Sequence, residues 1–298
     1  MRKRNKNILI WLLAIIITIS AAVYQRITGP TYPARAELTA NGKLYKLKLV
    51  RSLGTDEKPF VRLAVYDTTI SAKLFYKRFK TSEPYTESNF RYMVIPIHSF
   101  IMNKIFGLNE IKGFFASLPV QPPAGKLQYY IEITDNNGTL TLFKNNPVVV
   151  RFKGPVPGLI LTPHILLMFL AMLFSTAAGI MSLYKHPSYK KFSLLTLILL
   201  TAGGMILGPV VQHYAFGEFW TGIPFGWDLT DNKTLIAFIF WIIAVVVNRK
   251  KERPLYSALA ALVLLLVYSI PHSMFGSELD YESGKIIQGC IINFLNIN

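Results

Sequence analysis

Cysteine is almost missing from this chain: Cys290 stands alone among 298 residues. A single thiol forms no internal disulfide and holds no cysteine-ligated cluster. Without a C-x-x-C-H run there is no covalent attachment of a c-type haem. Charge is also scarce. Charged residues make up 16% of the chain, against about 25% in soluble domains. Acids are the scarcer sign, with 16 Asp and Glu against 32 Lys and Arg. The sequence has no phosphate-cradling glycine loop, no G-x-S-x-G, no H-E-x-x-H and no internal repeat of transporter type. These absences weigh against the common enzyme classes and against secondary carriers.

What is abundant is apolar sequence, and it is blocked into long runs. Five stand out: Ile8–Tyr24, Pro157–Tyr184, Phe192–Gln212, Thr234–Val247 and Leu255–Pro271. A membrane span needs about 20 apolar residues, so the chain reads as an integral membrane protein and the fourth run is the shortest fit. Orientation follows from the basic segments. "MRKRNK", "KHPSYKK" and "NRKKER" hold eleven Lys and Arg and one acid, Glu252. All three fall on one side if every run spans, which places them in the cytoplasm. The expected topology is N-terminus in and C-terminus out, in a bacterial inner (plasma) membrane. Residues 1–24 form an anchor, or a signal peptide cleaved after Ser20-Ala21-Ala22.

Residues 25–157 change character. Period-2 alternation recurs in "KLYKLKLVR", "FVRLAVYD", "SAKLFYKRF", "KLQYYIEITD", "TLTLF" and "PVVVRFKG", bounded by turn residues as strands require. Leu127, Tyr129, Ile131 and Ile133 share one strand face, and "TDNNGT" predicts a hairpin turn. The expectation is an extracytoplasmic antiparallel β-sandwich. The segment Ile95–Phe115 breaks the rhythm and reads as an insertion with a short helix. This domain holds nineteen Lys and Arg against nine Asp and Glu, while the outer segments beyond it are acidic, so the expectation is docking onto the chain's own membrane mouth or contact with lipid headgroups; nucleic acid is not needed to explain the charge. The fold class is therefore α+β: the sandwich, a four-helix membrane bundle over 158–272 with an outer loop at 213–233, and an outer tail at 273–298, about five transmembrane helices in all.

Three of the five histidines, His164, His213 and His272, fall at the outer ends of spans. His164 shares a helical stripe with Ala171, Ser175 and Ala178, and His272 with Ser257, Ala261, Leu265 and Tyr268. Small and polar stripes mark helix contacts in membranes, so both imidazoles are expected to face the bundle interior. The loop "HYAFGEFWTGIPFGWDLTDNK" lies in the same plane. Asp231 or Thr230 is expected to cap the helix that follows it, leaving Asp228 as the freer carboxylate.

That loop resembles the tryptophan-rich haem-handling motif of cytochrome c assembly membrane proteins. Gly217, Trp220, Trp227, Asp228 and Thr234 match the pattern. Phe216 stands where the family has Trp, and Gly222 to Gly226 lie as extra residues between the tryptophans. The hairpin "LQYYIEITDNNGTLTLF" resembles the late hairpin of fibronectin-type and immunoglobulin-like domains in bacterial surface proteins. The first resemblance implies haem b held by His164, His213 and His272 with Trp220, Trp227 and Asp228 around it, His164 and His272 being the iron ligands. The protein would then be an accessory to cytochrome assembly or to a respiratory complex. The alternative is a non-catalytic scaffold whose outer domain binds a protein partner. A metal-dependent membrane hydrolase using the histidines with Asp228 is the weakest reading.

Overall fold

The computed structural model describes residues 3–272, 274 and 276–287. In chain order the elements are α1 (Lys3–Thr28), β1 (Ala34–Ala40), β2 (Lys43–Leu49), β3 (Ser52–Gly54), β4 (Phe60–Leu63), β5 (Ser71–Arg78), β6 (Thr86–Asn89) and β7 (Arg91–Pro96). Then come α2 (Phe100–Lys104), β8 (Glu110–Ser117), β9 (Lys126–Asp135), β10 (Gly138–Leu142) and β11 (Val148–Lys153). The remainder is α3 (Gly158–Leu183), α4 (Tyr189–Leu200), a π-helical turn (Thr201–Leu207), α5 (Gly208–Phe216), α6 (Leu229–Lys250), α7 (Pro254–Ser269), β12 (Glu278–Leu279) and β13 (Ile286–Ile287). The chain divides into two compact units. One contains α1 and Pro155–Ser277; the other is Thr31–Gly154 together with Glu278–Ile286.

The second unit is β-rich. Its main sheet runs β3-β11-β9-β5-β6, with β10 paired to the far end of β9; β4-β8-β7 and β1-β2 form two smaller sheets. Neighbours are antiparallel except β3 and β11, which are parallel. Alternation decides which side chains go inward. In β2, Tyr45, Leu47 and Leu49 are buried while Lys46 and Lys48 are exposed. In β9, Leu127, Tyr129, Ile131 and Ile133 are all buried, the face that the sequence pattern predicts. Residues from β1, β2, β3, β4, β5, β8, β9 and β11 meet in one apolar core. The "TDNNGT" segment does form a hairpin, with Asp135 opposite Gly138.

Gly113 shows how close two strands come. Its φ is +143°, and a Cβ there would lie 2.4 Å from the Leu63 carbonyl oxygen. Backbone of that kind is open essentially to glycine alone. Gly113→Ala is expected to cost about 2 kcal/mol from strain and clash together. Thermal melting by circular dichroism checks this, and an unchanged transition would refute it.

The stretch after α7 returns to the β-rich unit, an arrangement that composition does not reveal. Leu279 N donates to Ala124 O at 3.1 Å. Glu278 pairs with Lys126 at 2.7 Å and with Lys80. The Tyr281 hydroxyl accepts from Lys126 N and faces the Lys126 carbonyl, both at 2.9 Å, with Gln121 Oε1 at 3.1 Å.

In the first unit, four helical stretches are long and apolar enough to cross a membrane: Asn5–Thr28, Gly158–Leu183, Tyr189–Phe216 and Leu229–Lys250. The fourth apolar run, short by sequence, is extended to a 22-residue helix by polar residues at both ends. The short helix is instead α7, with 16 residues. Helices α3 and α7 pack through small residues. Ala171, Ser175, Ala178 and Gly179 are buried on one, and Ser257, Ala260 and Ala261 on the other. A Cβ on Gly179 would lie 2.5 Å from that of Ala261. Such contacts let backbones approach where lipid offers no hydrophobic drive for association. Trp241, fully buried, fills the core on α6.

Candidate functional site

The site begins with a proline. Pro209 has no N–H to donate, and its ring crowds the carbonyl one turn earlier. The helix widens just before it into the π-helical turn, where Gly208 N donates to Gly203 O. His164 Nδ1 donates to the same Gly203 carbonyl at 2.9 Å. This fixes the imidazole tautomer and leaves Nε2 as the lone-pair nitrogen. A π-turn often marks a functional position in a helix.

The outer loop is held by its carboxylates. Asp228, with φ −55° and ψ 126°, is the N-cap of α6; its Oδ1 accepts from Thr230 N at 2.7 Å and Asp231 N at 3.3 Å. This corrects the expectation that Asp231 or Thr230 caps the helix. Asp231 is three residues into the helix and turns back to the loop instead. Its Oδ2 accepts from Thr221 N at 2.6 Å, Thr221 Oγ1 at 3.1 Å and Gln212 Nε2 at 3.1 Å. Asp228 N donates in turn to Thr221 O at 3.0 Å. Thr221 is therefore gripped through both its N–H and its carbonyl. Asn232 Oδ1 accepts from Ile223 N at 2.8 Å. Gly222 permits this approach, since a Cβ there would lie 2.7 Å from the Asp231 Cβ.

The aromatic residues divide in two. Trp220 is half-buried and its indole donates to Ile223 O at 3.0 Å. Trp227, Phe219 and Phe225 are exposed. His213 sits in the last turn of α5. Its Nδ1 donates to Gly217 O at 3.1 Å and its ring stacks on Phe219 with centroids 4.0 Å apart. Gly217 closes the same turn in the left-handed conformation, with φ +90°.

A second cluster joins α1, α6 and α7. Lys233, buried near the start of α6, donates to Ile270 O at 2.6 Å. Gln25 on α1 donates to Tyr268 O at 2.6 Å. The cation thus meets the carbonyl end of α7, where positive charge is favoured. His272, in the turn after α7, is exposed. Lys233 thus reaches the Ile270 carbonyl, two residues before His272, whereas His164 is tied to Gly203 in the π-helical turn. His213 is engaged elsewhere, with Phe219 and Gly217. Among the described residues no three His, Cys, Asp or Glu side chains are grouped so as to hold a metal ion.

Sequence reasoning missed Gln212 and Asp231 as the loop's latch and Lys233 as the α7 cap. A lysine and an aspartate near the start of an apolar helix were the available signal, because neither belongs in lipid without a partner.

Comparisons with known proteins return no matching family model, no matching curated protein and no matching solved structure.

Proposed function

We propose that this is a non-catalytic accessory or scaffold protein of a bacterial plasma membrane, whose helical unit anchors an extracytoplasmic, basic, immunoglobulin-like sandwich that binds a protein partner. The observation that carries the reading is the internal use of the outer loop's polar groups. Asp228, Asp231 and Asn232 all accept hydrogen bonds from the loop's own backbone. The Trp220 indole is likewise committed to Ile223 O. A loop so consumed by its own folding has few groups left to act on a substrate. Its exposed Phe219, Phe225 and Trp227 suit the headgroup level of a bilayer.

Chain parity supports the topology. Thr31–Gly154 and Glu278–Ile286 belong to one unit, so the chain between them crosses an even number of times. Helix α3, the α4–α5 stretch and α6 make three crossings, and α7 makes the fourth. Its 16 residues span about 24 Å at 1.5 Å each, a mismatch that flanking Arg253 and local thinning accommodate. On this topology the N-terminus and the basic segments at 185–191 and 249–253 share the cytoplasmic side.

A second reading is favoured by one observation. His164 Nδ1 is tied to a carbonyl, which is how metal-ligating imidazoles are usually oriented, and His272 follows α7, the helix packed against α3. These two residues would hold the iron of a haem b, which would supply electron transfer when bound; His213, Trp220 and Asp228 already have partners within the loop. Purification from haem-replete membranes decides between the readings. A colourless, metal-free protein is expected. A Soret band that is lost in His164→Ala and in His272→Ala but kept in His186→Ala would replace the scaffold reading with the haem reading.

A further inference from the structure

The connection between β7 and β8 projects a cluster of apolar side chains into solvent. Phe100, Ile105, Phe106 and Leu108 are 76%, 67%, 65% and 51% exposed, and Val94 and Met102 are exposed beside them. This is not a slack loop that left its hydrophobic residues outside by chance. Ile97 N donates to Asn109 O at 2.8 Å and Leu108 N to Met102 O at 2.9 Å, closing the base and the tip. Asn103 binds back from α2, its N to Ser99 O and its Nδ2 to Ile97 O. Backbone groups at the base and tip of the protrusion are thus paired within it, which lowers the cost of entering a region poor in water.

Its charge is equally specific. From Val94 to Asn109 there is no acidic residue and one cation, the exposed Lys104. Thr31–Gly154 as a whole holds eighteen Lys and Arg against nine Asp and Glu. We propose that the tip of the β7–β8 hairpin is a membrane-surface anchor, which inserts these apolar side chains at the headgroup–acyl boundary of a bilayer containing anionic lipid. Aliphatic and phenyl groups on a convex tip, with a lysine at its edge, match the composition that lies in the interface. Arg, which protein-docking centres favour, is absent from residues 94–109. A bilayer is at hand, because the same chain carries four helices able to cross one.

The proposal rests on those helices spanning a membrane, and the test separates the two claims. The full chain is loaded into nanodiscs with and without 30% phosphatidylglycerol in phosphatidylcholine, and co-elution with lipid reports whether the helices insert. Nitroxide labels are placed at Phe106→Cys and Leu108→Cys in a Cys290→Ser background, with Thr139→Cys on the β9–β10 hairpin as reference. The ratio of oxygen to nickel-chelate accessibility is then read by electron paramagnetic resonance. At both tip positions it is expected to exceed the reference by at least threefold in anionic discs, and to fall at least twofold in phosphatidylcholine alone. Equal ratios at tip and reference would overturn the proposal. So would labels shielded from both reagents, the signature of a protein cover such as a second copy. Lipid-insensitive immersion would remove the anionic headgroup from it.

Discussion

Replacing Asp231 with alanine is expected to release the outer loop and to destabilise the helical unit by about 3 kcal/mol, the cost of leaving buried donors without an acceptor. Three donors converge on one carboxylate oxygen: Thr221 N, Thr221 Oγ1 and Gln212 Nε2. Asp231 and Thr221 are both buried, so water does not readily take the place of the missing oxygen. The hydroxyl of Thr221 can turn to another acceptor, but its backbone N–H cannot. Gln212 retains its 2.7 Å bond to Thr221 Oγ1, which limits the damage at that residue. Asp231→Asn keeps an acceptor of the same shape without the charge, and is expected to lose about half as much. Limited chymotrypsin digestion in detergent gives a local readout. Phe219, Phe225 and Trp227 are exposed already but are held in a fixed loop, so cleavage between 217 and 228 should accelerate in the order wild type, asparagine, alanine. A melting midpoint and a cleavage rate for the alanine variant equal to those of wild type would mean that Asp231 does not latch the loop.

The sequence made the strands of the β-rich unit legible because alternation is a direct record of which side faces the core. Leu127, Tyr129, Ile131 and Ile133 could be assigned to one face without a structure, as could Tyr45, Leu47 and Leu49. The helical stretches were equally plain, since runs of apolar residues have few other uses. Partner choice was not legible. Asp228 and Asp231 carry the same side chain three residues apart, and which one caps α6 depends on where Thr221 lies, a residue on a different segment. The small residues of α3 pointed correctly to a helix contact, but the π-helical turn that gives His164 its carbonyl partner follows from the register around Pro209 rather than from the histidine stripe. The return of residues 278–286 to the β-rich unit is a long-range pairing. Its two strands are two residues each, too short to show any period.

Glu278→Ala is expected to detach that returning segment, at a cost of about 3–5 kcal/mol for breaking a buried pair from one side. The side chain of Glu278 is 10% exposed and that of Lys126 18%, whereas that of Lys80 is 63% exposed. Most of the effect therefore comes from Lys126, which would remain desolvated with its counter-ion gone. Burial already holds the Lys126 ammonium below the usual lysine range, against the pull of Glu278. Burial alone would raise the Glu278 carboxyl, but hydrogen bonds and charge from Lys126 and Lys80 outweigh it and keep it below the usual glutamate value. The sign of the pH dependence follows. A carboxyl whose folded value is depressed contributes its full stability above the unfolded value, about 4.3. That contribution declines as pH falls below this point and is gone once pH has passed through the folded value. Amides of 279–286 should thus be well protected at neutral pH and lose protection, measured against the unstructured-chain rate at each pH, as the solution is made acid. Glu278→Ala should show low protection throughout, with no acid step of its own. A double variant, Glu278→Leu with Lys126→Met, removes both charges and should recover most of the lost protection, because an apolar pair of similar volume replaces a buried ion pair at little cost. Slow exchange in the single variant would show that Tyr281 and the Leu279–Ala124 hydrogen bond hold the segment without the ion pair. Failure of the double variant to improve on the single one would place the energy in the specific geometry of Glu278 rather than in relief of an unpaired lysine.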